Sequence, residues 1–115
     1  MSLILLPTRE LAIQVETVVK NIIAQLRVIY EKVRITTATI SGGFSVEKQI
    51  RMLSLKPKIL IGTVGRIWDL LQNGKSEDLR ALCNLNFLIL DEIDRILDLG
   101  QIKELSGILK YIENP

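Results

Sequence analysis

The sequence predicts an α/β fold in which about four strands form a parallel sheet with helices on both faces. Segments of strand character alternate four times with segments of helical periodicity, which favours right-handed crossovers between parallel strands. The last strand segment, Phe87 to Leu90, is an apolar run followed at once by carboxylates. No internal repeat, low-complexity tract or linker divides the 115 residues, so we expect a single domain.

The individual elements follow from periodicity and from helix-capping or turn residues. Thr8 stands where it can cap the first helix, and Ser41-Gly42-Gly43 turns the chain after the second strand. Apolar runs or β-branched segments predict strands over 3–6, 34–40, 58–63 and 87–91. Helical spacing of apolar residues predicts helices over 9–29, 46–53, 67–71, 93–99 and 102–112.

The apolar run that ends in Asp91-Glu92-Ile93-Asp94 is the strongest functional signal in the chain. Such a run predicts a strand buried on both faces, and the carboxyl ends of parallel strands are where α/β sheets bind ligands. Phosphoryl transfer to water needs one carboxylate to anchor magnesium and a second to orient the water, roles that suit Asp91 and Glu92. The alternative is a helix whose first turn simply favours acidic residues.

Composition excludes several classes of chemistry. No apolar stretch reaches the roughly 20 residues of a membrane span, and the first residues lack the features of a signal peptide. We therefore expect an intracellular protein without a membrane partner. The absence of histidine effectively excludes zinc chemistry and Ser-His or Cys-His catalysis. The single Cys83 cannot form an internal disulfide, and we expect it to be a small core residue in a reducing compartment.

Charge is distributed unevenly along the chain. Residues 1–86 carry 12 Lys or Arg against 7 Asp or Glu, whereas residues 87–115 carry 3 against 6. The first part could face a polyanion while the second holds a cation. An ordinary solvated surface explains the modest excess about as well.

Gly74-Lys75-Ser76 matches the end of a phosphate-binding loop, but the context is wrong. The loop needs a further glycine five residues earlier, where Asp69 stands, and a strand rather than a helix before it. Gly74 is better interpreted as the residue that ends a helix.

Four segments in order resemble the first RecA-like domain of the DEAD-box RNA helicases. They correspond to motif Ia, the GG motif, motif Ib and motif II of that family: Pro7-Thr8-Arg9-Glu10-Leu11-Ala12, Ser41-Gly42-Gly43, Thr63-Val64-Gly65-Arg66 and Asp91-Glu92-Ile93-Asp94. The resemblance covers essentially the whole chain. Segments 48–53 and 65–70 also resemble the branch associated with nucleolar assembly of the large ribosomal subunit, which implies a nuclear or nucleolar location.

The resemblance implies RNA contacts along the first three motifs, made to the backbone and not to the bases. The residues concerned are Thr8, Arg9, Gly42, Gly43, Thr63, Gly65 and Arg66. Glycines let phosphates approach the main chain, and arginine offers a planar charged fork. Since only 4% of residues are aromatic, base stacking is not expected to supply affinity. Taken singly, the same residues could be helix caps, turns and solvated arginines.

The resemblance also implies ATP and Mg²⁺ as cofactors at motif II. Asp91 would hold Mg²⁺ through water, Glu92 would activate the hydrolytic water, and Asp94 would relay contacts to later motifs. Asp91, Glu92 and Asp94 are therefore the implied catalytic residues, with Asp91 and Glu92 also facing the nucleotide.

The chain departs from the family pattern at two positions. Val64 replaces a proline, so that the turn before Arg66 loses a fixed φ. Ile93 replaces an alanine, and we expect overpacking that costs about 1–3 kcal/mol unless neighbouring residues are smaller.

The expectation for residues 1–115 is thus a partial N-terminal RecA-like domain, lacking the phosphate-binding loop and the second RecA-like domain. Alone it should bind neither ATP nor Mg²⁺ tightly, should be inactive, and should self-associate through the exposed apolar edge of its last strand. Two alternatives are a fragment of an AAA-type ATPase, which often carries Asp-Glu-Ile-Asp after an apolar strand, and a non-catalytic α/β interaction module.

Overall fold

A computed structural model describes residues 1–73 and 76–114, which form a four-stranded parallel sheet covered by helices. The strands are β1 (Ser2–Leu6), β2 (Thr37–Ile40), β3 (Ile59–Thr63) and β4 (Phe87–Leu90), in the spatial order β2-β3-β1-β4. The helices are α1 (Arg9–Ile29), α2 (Val46–Ser54), α3 (Val64–Asn73), α4 (Ser76–Leu79), α5 (Ile93–Asp98) and α6 (Ile102–Glu113), with a 3₁₀ helix at Arg80–Asn84. The predicted fold class is confirmed.

The sheet separates two apolar layers because successive side chains of a strand point to opposite faces. In β1, Leu3 and Leu5 pack with β3 and with helices α3, α5 and α6 in the larger core. Ile4 and Leu6 face the other way and contact the apolar stripe of α1. A fully buried Leu or Ile stabilises the fold by about 1.5–3 kcal/mol, so the larger layer supplies most of the stability.

The sequence located most helices and strands but misplaced several of their ends. Strand β2 begins at Thr37, three residues later than predicted, because its pairing with β3 begins at Thr37, opposite Ile59. Helix α3 follows β3 without a loop and starts with Val64, which is fully buried. Val64, which stands where the family usually has a proline, is therefore the first residue of a helix. Gly74, predicted to end a helix, lies outside the described residues.

The prediction that the last strand is buried on both faces is wrong. Phe87 is 68% exposed and Ile89 is half-exposed, whereas Leu88 and Leu90 pack against the larger core. The reason is that α1 packs mainly over β1, β2 and β3, whereas β4 lies beyond β1 at the end of the strand order. Strand β4 is an edge strand with apolar side chains open on one face.

Two further expectations can be checked in the described ranges. None of the helices there has both the length and the apolar character that crossing a bilayer requires. Cys83, expected in the core, is only half-buried in the 3₁₀ helix. Burial and the neighbouring Cys83 raise the pKa of the Tyr111 phenol.

Candidate functional site

The four motif segments meet at the edge of the sheet that is formed by the carboxyl-terminal ends of its strands. Each follows the carboxyl end of a strand, and all the strands are parallel. Because β1 lies between β3 and β4, Thr8 and Arg9 at the start of α1 stand between Gly65-Arg66 on one side and Asp91-Glu92 on the other. The edge therefore presents a basic segment next to an acidic one.

Arg9 is in direct contact with the turn Ser41-Gly42-Gly43, which we call the glycine turn. Thr8 caps α1 by accepting a hydrogen bond from the backbone N–H of Leu11 at 3.4 Å, and Arg9 is the first residue of the helix. Gly43 has φ +93°, and a Cβ placed there would lie 2.5 Å from Nη1 of Arg9. The positive φ favours glycine at 43. A Cβ there would also displace the guanidinium of Arg9, which lies at the end of a flexible side chain.

Gly42 and Gly65 differ from Gly43 in their surroundings. Both are exposed, and a Cβ at either position would meet no atom within 4 Å. Their main chains are open to an approaching phosphate. Thr63, by contrast, is 7% exposed, so that little of its side chain could touch a ligand.

Arg66 is held by a network within the chain. Its Nε donates to Oε1 of Gln49 at 2.7 Å, its Nη1 to Oδ2 of Asp69 at 3.1 Å and its Nη2 to the carbonyl of Phe44 at 2.8 Å. Gln49 is fully buried and donates in turn to the carbonyl of Ser41. The side chain of Arg66 is only 18% exposed, so it is not a freely solvated arginine.

Gln49 is a structural residue that the sequence analysis missed. It links α2 to the start of the glycine turn and to α3, and thereby fixes the turn from beneath. A signal for it exists: Gln49 stands four residues before Leu53, on the buried side of α2. A polar residue at such a position needs internal partners.

Motif II lies in a sharp turn between β4 and α5. The backbone N–H of Asp91 continues the sheet by donating to the carbonyl of Leu5 at 3.0 Å. Glu92 adopts φ +50° and ψ +50°, a left-handed conformation that costs a non-glycine residue on the order of 1–2 kcal/mol. Its carboxylate makes no helix cap and lies 3.8 Å from the guanidinium of Arg95.

The three acidic side chains of motif II are all exposed at this edge. Glu92 stands at the N-cap of α5 without a side-chain cap hydrogen bond, and Asp94 lies in the first turn of the helix. Both positions also suit the alternative, in which acidic residues simply stabilise a helix N-terminus. Ile93 is 47% exposed, and the expected overpacking at this position is therefore wrong for this chain.

The carboxylate oxygens of motif II suit a magnesium ion that they contact through its water ligands. Within residues 1–73 and 76–114 no group of three or more acidic, Cys or His side chains converges as a complete metal site. Mg²⁺ does not need one, since it keeps several waters and takes one or two carboxylates together with substrate phosphates. The exposed carboxylate of Asp91 fits that requirement.

Comparison with known proteins agrees with the geometry of this edge. The family model described as DEAD/DEAH box helicase matches residues 1–115. The chain therefore belongs to the DEAD/DEAH box helicase family. This is the family that the four motifs indicate, and not the AAA-type ATPases.

The relatives are named as RNA helicases. The chain is 40% identical over 111 residues to DEAD-box ATP-dependent RNA helicase 13 of Oryza sativa, covering 96% of the chain and 12% of that protein. It is 40% identical over 114 residues to human ATP-dependent RNA helicase DDX24, covering 99% of the chain and 12% of that protein. Against ATP-dependent RNA helicase mak5 of Aspergillus fumigatus it is 40% identical over 112 residues, which cover 97% and 14% respectively. The chain thus spans about an eighth of the length of these relatives.

Solved structures show the same fold. The chain superposes on the yeast DEAD-box splicing factor Prp28 with a TM-score of 0.80 at 30% identity, covering 97% of the chain and 24% of that structure. A hypothetical ATP-dependent RNA helicase from Sulfolobus tokodaii gives a TM-score of 0.67 at 29% identity, with 94% and 29% covered.

Proposed function

We propose that this chain is part of an ATP-dependent RNA helicase. It would contain a surface that binds the RNA backbone, which we call the backbone track, next to the magnesium-binding carboxylates of the ATP site. The complete protein would couple ATP hydrolysis to the remodelling of RNA duplexes or RNA–protein complexes. The observation that carries the proposal is the convergence of all four motif segments on one sheet edge, in a chain that belongs to the helicase family.

The track would bind RNA through Arg9, through the open main chain at Gly42 and Gly65, and through the amino-terminal N–H groups of α1 and α3. Such groups favour phosphate oxygens because they donate hydrogen bonds and carry partial positive charge. They carry no base specificity. Arg66 would act mainly by holding the glycine turn in place, with Thr8 as the cap that sets the start of α1.

Motif II would supply the acid–base groups. Bound ATP with Mg²⁺ brings the γ-phosphoryl group that is transferred to water. Asp91 would hold the metal's water ligands, and Glu92 would orient the attacking water and accept its proton. The left-handed backbone at Glu92 supports this assignment, because strain of this kind persists where a side chain must be aimed. Asp94 is proposed to contact later motifs.

The chain contains no phosphate-binding loop, and hydrolysis needs one opposite motif II. We therefore propose that residues 1–115 are only part of the first RecA-like domain, and that by themselves they are inactive and bind ATP and Mg²⁺ weakly. The nucleolar location implied by segments 48–53 and 65–70 is likewise proposed for the complete protein, and fluorescence microscopy of the tagged protein tests it.

The decisive experiment measures ATP hydrolysis by the complete protein with and without single-stranded RNA. RNA-stimulated hydrolysis is expected. A complete protein that binds RNA but shows no hydrolysis would favour the non-catalytic α/β interaction module, and hydrolysis that RNA does not affect would contradict the helicase assignment.

A further inference from the structure

The first turns of α1 and α2 place two cations against one aromatic ring. The guanidinium of Arg9 lies 5.7 Å from the centre of the Phe44 ring, and Nζ of Lys48 lies 4.9 Å from it. Both distances are within the roughly 6 Å range of a cation–π contact. Phe44 directly follows Gly43, so the two charges lie beside the main chain that is proposed to bind the RNA backbone.

Both cations occupy positions that their own helices disfavour. Arg9 is the first residue of α1 and Lys48 is the third residue of α2, where the partial positive charge of a helix N-terminus opposes a cation. Each first turn also carries one acid, Glu10 or Glu47, but no ion pair joins either cation to an acid in the described part of the chain. Two such cations at two helix N-termini favour an anion beside them.

The segment that carries these groups is fixed on both sides of the ring. The carbonyl of Phe44 accepts a 2.8 Å hydrogen bond from Nη2 of Arg66. Ser45 then caps α2 by accepting a hydrogen bond from the backbone N–H of Lys48 at 3.2 Å. The residue Phe44 is 44% exposed, so it is not part of the core. Its ring is therefore free to fix the direction of the two cationic side chains.

The neighbouring turn favours a phosphate as the anion. A Cβ at Gly42 would meet no atom within 4 Å, so a nucleic-acid backbone can run along the main chain there and reach the two cations. Glu16, an acid that lines the same depression between α1 and α2, is already paired with Lys20. Arginine binds phosphate through its planar fork and lysine binds it as a point charge.

We propose that Lys48 is a further phosphate-binding residue of the backbone track, and that Phe44 is a positioning residue that holds Lys48 and Arg9 towards the same stretch of RNA backbone. The ring acts on the two cations and not on a base. This inference rests on the proposed RNA-binding function and deepens it, because it extends the track from α1 and the glycine turn onto the first turn of α2.

The test of Lys48 measures the affinity of the complete protein for a short oligouridine at several salt concentrations, by fluorescence anisotropy. Lys48→Met keeps the length of the side chain and removes its charge. It should weaken binding and reduce the slope of log affinity against log salt concentration by about 1. Lys32→Met, a matched change of an exposed lysine that precedes β2 at the opposite edge of the sheet, should alter neither quantity. An unchanged slope for Lys48→Met would overturn the phosphate contact.

The test of Phe44 separates positioning from folding. Phe44→Leu leaves both charges in place, so the salt slope should stay the same while the affinity falls by about two- to fivefold, the scale of an exposed cation–π contact. Phe44→Tyr keeps a ring and should restore the affinity. In a protein that also carries Arg9→Met and Lys48→Met, Phe44→Leu should have little further effect. A tyrosine variant as weak as the leucine variant, or a leucine variant with native affinity, would overturn the role of the ring.

A second RNA separates this inference from the function on which it rests. Lys48→Met should weaken binding to oligouridine and to oligocytidine by the same factor, since a phosphate contact carries no base preference. A loss confined to one of the two RNAs would overturn the phosphate contact. If binding responds to Arg9→Met but not to Lys48→Met, only the present inference fails, whereas a complete protein that binds neither RNA would contradict the proposed function itself.

Discussion

Nε of Arg66 donates a 2.7 Å hydrogen bond to Oε1 of Gln49, a residue that is fully buried. Through this contact the start of α3 supports α2, and through α2 it supports the glycine turn. An arginine that was expected to contact RNA is therefore a structural residue in this chain. Variants of Arg66 that weaken RNA binding must be separated from variants that loosen the turn.

Arg66→Ala should lower the free energy of unfolding by about 1–3 kcal/mol, because it removes three hydrogen bonds and leaves the buried Oε1 of Gln49 unpaired. Arg66→Lys should recover only part of the loss, since a lysine lacks the planar fork. Urea unfolding of the chain measures both. The matched control is Arg95→Ala, whose side chain is half-exposed and makes only a 3.8 Å ion pair. A change there above about 1 kcal/mol, or none at Arg66, would contradict this account.

Gly43→Ala and Gly42→Ala should differ sharply. Alanine at 43 must adopt φ near +93° and displace the guanidinium of Arg9, whereas alanine at 42 meets open space. We expect Gly43→Ala to destabilise the chain by about 1–2 kcal/mol and Gly42→Ala by less than about 0.5 kcal/mol. Chemical unfolding of the two variants side by side provides the comparison, and equal effects would show that the turn does not adopt this geometry.

Arg9→Ala should weaken RNA binding by a similar factor for most RNA sequences. Loss of one phosphate contact is expected to reduce the slope of log affinity against log salt concentration by about 1. Titration of the complete protein with RNA at several salt concentrations measures the slope. Arg51→Ala, which removes an exposed arginine in the last turn of α2, is the control and should leave the slope nearly unchanged. An unaltered slope for Arg9→Ala would remove Arg9 from the backbone track.

Glu92→Gln in the complete protein should abolish ATP hydrolysis and leave ATP binding largely intact, because the amide keeps the size of the side chain but cannot accept the proton of water. Asp98→Asn neutralises an exposed acid at the end of α5 and should hydrolyse ATP normally. A rapid hydrolysis assay and a nucleotide-binding titration give the two readouts. Near-normal turnover of Glu92→Gln would exclude Glu92 as the activating group.

The isolated chain should self-associate through β4, where Phe87 and Ile89 leave an apolar edge uncovered. Light scattering is expected to show a dimer that forms as concentration rises. Phe87→Lys should shift the equilibrium towards monomer, and Leu55→Lys, which replaces a more exposed apolar residue at the end of α2, should not. A monomer of the unmodified chain at high concentration would contradict this prediction.

Much of the architecture was predictable because local signals are strong in this chain. Helix α1 begins after the Thr8 cap and ends at Ile29 as its apolar spacing predicts, and the alternation of strand and helix predicts the parallel sheet. The short helices at Ser76–Leu79 and Arg80–Asn84 could not be predicted from the sequence, because segments of four or five residues are too short to show a periodic pattern. The exposure of Phe87 was missed as well, because it depends on where α1 lies.

The sequence by itself determined the family and the residue types of the site, since four short motifs in fixed order need no coordinates to be recognised. The tertiary structure decided what those residues contact. It placed Arg66 within an internal network, exposed Ile93 where overpacking was expected, and left Phe87 uncovered. These outcomes depend on how α1 and α2 pack against the sheet, and packing between distant segments is not encoded in any local pattern.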